Sequence, residues 1–309
     1  MRPRLVAAAV PQGESIGVET IDSSGRVLAV LYHVWNDHVW NERMPTPVTA
    51  LSIAVDSQSP LQESADSVWS LCALKGHSVS QHHNGIVATI DLEDPTRGIA
   101  CQRQPMPAGT LDAATACDIL LGLDIRSECH LTEHWLRAND VTAVYESTDA
   151  RCLRVTAMWR WRPSQAMVHA WELVVSVQTS LEQSDSSLRV SANVDAAVVL
   201  WGRQRNGSLV WSEELLADAT AVLLRRGVPL STLANSVFFC VHPEDLRQLL
   251  VRRDLDSVHV EYGLFSSAVE KGVLLRSRVL AATGPASNDT DWAATLFAAF
   301  TTAPPLLST

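Results

Sequence analysis

The sharpest arrangement of chemistry-bearing residues in this chain is His130-Leu-Thr-Glu133-His134. Two histidines around a glutamate in that order match an inverted zinc-hydrolase pattern, in which both imidazoles hold zinc and the carboxylate acts as base. That chemistry needs both histidines on one face of a helix. Here Leu131, Glu133 and Trp135 alternate with Thr132, His134 and Leu136, and Asn139-Asp140 supplies a turn before the next apolar run. A period of two is strand geometry, so the phrase reads as two histidines on a strand. Glu213 and Glu214 are the downstream candidates for a third ligand, at a spacing that does not match. A zinc enzyme is the least favoured of the functions considered, and neither a metal nor a cofactor is expected.

Three further groups carry chemistry. His77, His82 and His83 offer imidazoles in a polar stretch with no adjacent cysteine, their nearest acids being Asp91, Glu93 and Asp94; the plain reading is a solvated turn. The segment Trp35-Asn-Asp37-His38-Val-Trp40-Asn-Glu42 sets two indoles beside amide, carboxylate and imidazole groups. An indole face stacks on the C–H face of a pyranose while carboxylates and amides take its hydroxyls, so Trp35, Asp37, His38, Trp40 and Glu42 are candidate ligand-binding residues. Against this stands a purely structural role for the indoles, packed beneath the loop. Arg154, Arg160, Arg162, Glu172, Arg189, Asn193 and Asp195 lie on the polar side of alternating runs. Such a face can take an anionic or polyhydroxylated ligand, with Arg160 and Arg162 the chosen contacts, or hold ordinary cross-strand pairs.

The elements that must position these groups are strands. In Cys152–Arg162, Leu153, Val155, Ala157, Trp159 and Trp161 share one face and Arg154, Thr156, Arg160 and Arg162 the other. Ser187 to Trp201 alternates as cleanly, and Met167, His169, Trp171, Leu173 and Val175 form another apolar face, with His169 a core histidine. These are the marks of an antiparallel sheet with one face on a core and one face wet. Ile16–Ile21 and Arg26–Trp35 predict a hairpin, with Val48–Val55, Ser67–Leu74, Ile86–Leu92, Ala219–Arg226, Val237–Val241, Val258–Tyr262 and Val273–Leu280 as further strands. Helices are predicted at Leu111–Leu121, Pro243–Val251 and Asp291–Phe300. About a dozen strands and three helices, without βαβ alternation, repeats or a linker, make a single β-sandwich domain over residues 1–309.

Composition narrows the classes. The net charge is −10, and Lys75 and Lys271 are the only lysines, which argues against nucleic-acid partners. Six scattered cysteines without a CxxC pair suit a reducing compartment. The apolar run Leu5–Val10 is too short for a signal peptide, and no run reaches the ~20 residues of a membrane span. The chain therefore reads as cytoplasmic, with no membrane partner; oligomeric state is not legible.

Glu133–Glu146, Val241-His-Pro-Glu-Asp245 and Glu270-Lys-Gly-Val-Leu-Leu-Arg276 resemble phrases of an uncharacterised bacterial family, which implies no activity. The succession of long antiparallel strands is similar to the galactose-mutarotase-like supersandwich proteins. That resemblance implies an acid/base pair for anomer interconversion at His242, in a His-Pro phrase, and Glu270. The early Asn-His phrase of that family has no counterpart here. The expected function is carbohydrate or glycoconjugate binding, with mutarotase-like activity as its extension. The alternative is a non-catalytic interaction or scaffold module.

Overall fold

The computed structural model describes residues 68–72, 77–83, 85–103, 117–164, 167–205, 207–216, 218–226, 235–254 and 257–303, and the backbone of 16–21 and 27–32. The chain is mainly antiparallel β. It enters one sheet with β1 (Ile16–Ile21), β2 (Val27–Tyr32), β3 (Ser70–Leu71), β4 (Ser78–His83), β5 (Ile86–Asp91), β6 (Ile99–Arg103) and β7 (Asp118–Asp124). It crosses to a second sheet with β8 (Cys129–Arg137), β9 (Asp140–Ser147), β10 (Leu153–Arg162) and β11 (His169–Thr179). After β12 (Gln183–Asp185) it returns with β13 (Leu188–Val194), then adds β14 (Val198–Arg205), β15 (Ser208–Ser212), β16 (Ala221–Arg225) and β17 (Asn235–Val241) to the second sheet. β18 (Gln248–Arg253) and β19 (Val258–Leu264) join the first sheet. β20 (Ala268–Glu270) pairs with β12, and β21 (Leu275–Pro285) leads to helix α1 (Asp289–Thr302).

The first sheet runs β1-β2-β18-β19-β13-β7-β6-β5-β4-β3 and the second β15-β14-β16-β17-β21-β11-β10-β9-β8. The main core lies between them, where Trp159, Leu173, Val190, Phe239 and Tyr262 have essentially no exposed surface. Aromatic polar handles pin the layers together. The Trp159 indole donates to Leu121 O (3.1 Å) and Tyr262 Oη to Phe239 O (3.0 Å), each from one sheet to the other, and Tyr145 Oη donates to Leu92 O (2.9 Å) in the turn after β5. Burying these indoles and phenols without acceptors would cost more than their packing returns. Burial pushes both phenols above their ordinary pKa, so they stay neutral donors.

A smaller core lies outside the second sheet. There Trp292, Ala293, Phe297 and Phe300 of α1 cover Ala170, Leu200, Leu223, Phe238, Cys240, Leu280 and Ala282. The helix is tied at both ends. Arg225 donates twice to Asp289 in its first turn, at 2.7 Å each, while the Arg278 guanidinium sits 5.0 Å over the Phe300 ring and reaches Phe300 O and Ala303 O. A cation on the last carbonyls and an anion in the first turn complement the helix dipole.

Several expectations need correction. Residues 118–121 of the predicted Leu111–Leu121 helix begin β7, a strand between β6 and β13; residues 111–116 lie outside the described residues. The predicted Pro243–Val251 helix is a turn leading into β18, whose Leu249, Leu250 and Val251 are buried between β2 and β19. An apolar run buried on both faces lacks a two-residue period, so it imitates a helical stripe. Ser187–Trp201 is two strands: the alternation holds to Val194, where the chain breaks and moves to the second sheet, Ala197 N–H bonding Arg225 O. Beyond the break Trp201 faces the main core, Leu200 faces the outer one and Val198 is exposed. Around His77, the expected polar turn is mostly strand β4. The hairpin β1–β2, the strand at Ala221–Arg225 and the C-terminal helix are as expected, while Val48–Val55 lies outside the described residues.

Candidate functional site

Helix α1 covers only half of the second sheet's outer surface. Directly paired residues share a face, so the register Trp135–Thr142–Met158–Val174–Arg278 is one row on that surface. Arg137–Asp140–Arg160–Glu172 is the next. No described element lies over β8, β9 and β10, and the Trp135 side chain there is 41% exposed. A large apolar side chain this open on a strand otherwise lined by charge is the unusual feature of the face.

Ion pairs hold the groups around it. Arg160 grips Asp140 through two hydrogen bonds of 2.6 Å, and Arg154 bridges Glu133 (2.8 Å) and Glu146 (2.9 Å). Arg162 donates to Glu172, a carboxylate with no exposed surface whose other oxygen stands 3.6 Å from Arg278. Fork-to-fork pairing fixes the orientation of both partners and leaves lone pairs and N–H groups to spare. The seven residues expected on one wet face therefore divide: Arg154, Arg160, Arg162 and Glu172 are here, and Glu172 is buried. Arg189 and Asn193 are on β13 of the other sheet, where Arg189 pairs with Glu261 (3.3 Å), and Asp195 is exposed just past the end of that strand.

The edge strand β8 also lines a cleft of about 450 Å³, with His77, Glu93, Cys129, His130, Leu131, Thr132 and His134 around it. The register slips between Leu131 and Glu133, with the Thr132 hydroxyl bonded to Val144 O (3.1 Å). This bulge sets His134 on the core side in line with Leu136, whereas His130 lies on the outer side, 3.8 Å from Glu146. The two histidines of the zinc-like phrase thus stand on opposite faces of a strand. Among the described residues no group of three or more His, Cys, Asp or Glu side chains is placed to hold a metal ion.

What the cleft does bring together is His134 and His77, their ring centres 5.0 Å apart and nearly perpendicular, with His77 3.6 Å from Glu93. Nε2 of His134 is buried without a hydrogen-bond partner. Burial first and the neighbouring His77 second lower the pKa of His134, which stays neutral at physiological pH. His83, by contrast, packs on Trp161 at the other end of β4 and faces the buried His169, so the three sequence-adjacent histidines do not converge.

Trp35, Asp37, His38, Trp40 and Glu42 lie outside the described residues. His242 follows β17, its N–H bonded to Arg278 O and its ring 6.2 Å from Phe300. Glu270 is exposed at the end of β20, opposite Gln183. The structure does not bring these two together, and neither lines the cleft nor a smaller cavity of about 120 Å³ beside Asp245 and Arg276. Trp135, Arg137 and Asp140 are the residues that sequence reasoning passed over. Their signal is an aromatic between charges, Glu133-His-Trp135-Leu-Arg137, on the HxxEH strand.

No protein-family model matches the chain, and no curated protein matches it in sequence. Among solved structures it is similar to the GH36 alpha-galactosidases AgaB and AgaA from Geobacillus stearothermophilus, each at 8% identity. Their TM-scores are 0.42 and 0.40 over 69% and 67% of this chain. It is also similar to a putative kojibiose phosphorylase from human microbiome, at 8% identity and a TM-score of 0.42 over 75% of this chain. The chain spans 40% of each galactosidase and 33% of the phosphorylase.

Proposed function

We propose that this protein binds saccharides on the outer surface of β8, β9 and β10. The carrying observation is the open Trp135 indole, set beside guanidinium and carboxylate groups already fixed in place. The indole supplies a flat apolar platform for the C–H face of a sugar ring. Asp140 and Glu133 keep lone pairs for hydroxyl donors, and Arg160 and Arg162, each partly exposed, keep N–H groups for ring and hydroxyl oxygens. Ion pairing holds these side chains before a ligand arrives, which lowers the entropy lost on binding. The reading is one of recognition; with His242 and Glu270 apart, anomer interconversion is not included in it.

The test is a thermal-shift screen of neutral and acidic mono- and oligosaccharides, followed by calorimetry. A ligand at ~100 times its dissociation constant stabilises the folded state by about 2.7 kcal/mol, a readable shift. Trp135→Ala is expected to weaken binding at least tenfold, about 1.4 kcal/mol. Trp35→Ala and Trp40→Ala, tested in parallel, locate any contribution of the Trp35–Glu42 segment. Binding that Trp135→Ala leaves intact refutes this site, and absence of binding by any saccharide refutes the function in favour of a protein-interaction module.

A further inference from the structure

Resting on the saccharide reading of the same site, we infer that the ligand is anionic, a uronic-acid or sulfated saccharide. The chain as a whole carries a net charge of −10. The outer face of β8–β11 and β21 departs from that balance. Among the described residues it holds Arg137, Arg154, Arg160, Arg162, Arg276 and Arg278 against Glu133, Asp140, Glu146 and Glu172, six basic groups to four acidic ones on an acidic protein.

The distribution of partners places that excess beside the indole. Asp140, opposite Arg137 in register, is occupied by both arms of Arg160, and among the described residues Arg137 forms no ion pair. Arg137 is exposed and two residues from Trp135 on the same face of β8, about 7 Å along a strand. Arg162 shares the single charge of Glu172 with Arg278, and its side chain is about one-third exposed. A sugar ring stacked on Trp135 therefore brings a carboxylate or sulfate within reach of a guanidinium whose fork has not been spent. Two oxygens of either anion can be matched by that fork with two bonds at a time. Among the described residues this face holds no lysine, the more diffuse attractor. Recognition thus relies on placed arginines rather than on a broad positive field.

The experiment compares two probes with the same sugar backbone, one charged and one neutral: a tetragalacturonate and its fully methyl-esterified counterpart, titrated calorimetrically into the 309-residue chain at low and high salt. The acid form is expected to bind at least tenfold tighter at low salt, with an advantage that shrinks as salt is raised. Arg137→Gln should remove most of that advantage, and Trp135→Ala should weaken both probes. Equal binding of the two probes, unaltered by Arg137→Gln, overturns the anionic assignment and leaves saccharide binding standing. Acid-selective binding that Trp135→Ala does not touch overturns both. So does failure of either probe to bind, provided neutral and sulfated oligosaccharides fail as well; binding of a neutral one alone overturns only the anionic assignment.

Discussion

Replacing Asp289 by asparagine should uncouple α1 from the sheet that it covers. The carboxylate is almost fully buried, accepts two 2.7 Å bonds from Arg225, and takes a third of 2.6 Å from the buried Ser236 hydroxyl. Burial pushes its pKa up, but the hydrogen bonds from Arg225 and then Ser236 outweigh that and leave it below the usual carboxylate range. Asparagine keeps the shape, loses the charge and turns an amide N–H₂ toward another donor. Trading two charge-assisted bonds for at most one neutral bond costs about 1 kcal/mol each, and the misdirected amide about 1 more. The Arg225 side chain is 37% exposed and can rehydrate, which brings the total to roughly 2–3 kcal/mol. For a chain of this size that is a fall of roughly 3–5 °C in Tm. Near-ultraviolet circular dichroism, which senses Trp292 packing, is the assay. Because the folded pKa is depressed, the wild-type advantage is present above the unfolded carboxylate pKa and lost as pH falls through the folded one. The gap between wild type and Asp289→Asn should therefore close as pH is lowered from about 5 toward 3. A Tm change under about 1 °C at neutral pH, or a gap that stays constant into acid, would refute this account of the helix anchor.

Other positions give independent checks. Gly98 sits at φ +53°, and a Cβ there would run into the backbone of Leu120 and Gly122, so Gly98→Ala should cost roughly 3 kcal/mol or more, read from the urea midpoint. Glu172→Ala leaves the buried Arg278 and the half-buried Arg162 without their shared carboxylate; a loss of about 3 kcal/mol is expected, and a neutral result would show that solvent replaces it. Trp159→Phe removes the indole bond to Leu121 O and some buried volume, so it should destabilise by about 1–2 kcal/mol without altering saccharide binding on the opposite face. His134, with its depressed pKa, should titrate by NMR below the ordinary histidine value. Its contribution to stability is present above about pH 6.5 and lost as pH falls through its own pKa; a normal titration would contradict the buried setting of its ring.

The fold was legible wherever one side of a strand faces water. Leu153, Val155, Ala157 and Trp159 read as inward because Arg154, Thr156 and Arg160 interrupt them, and the structure agrees residue by residue. The same rule fails where neither side is wet. β7 and β18 carry adjacent buried leucines, and the Pro243–Val251 segment that reads as a helix is instead a turn and a strand held by two neighbours. The site was harder to read for a different reason. Alternation says that Arg160 and Arg189 are both outward from a core, but not outward from which sheet; only the pairing order β11-β10-β9-β8 gathers Arg160, Asp140, Arg137 and Trp135, while Arg189 leaves with β13. One bulge at Thr132 then decides the chemistry of β8. Without it, His130 and His134, four residues apart, would share one face and Trp135 would face the other; with it, the histidines separate and Trp135 falls on the face of His130, Glu146 and the arginines. A single extra residue in an edge strand thus turns a pattern that reads as metal chemistry into a surface built for stacking and charge.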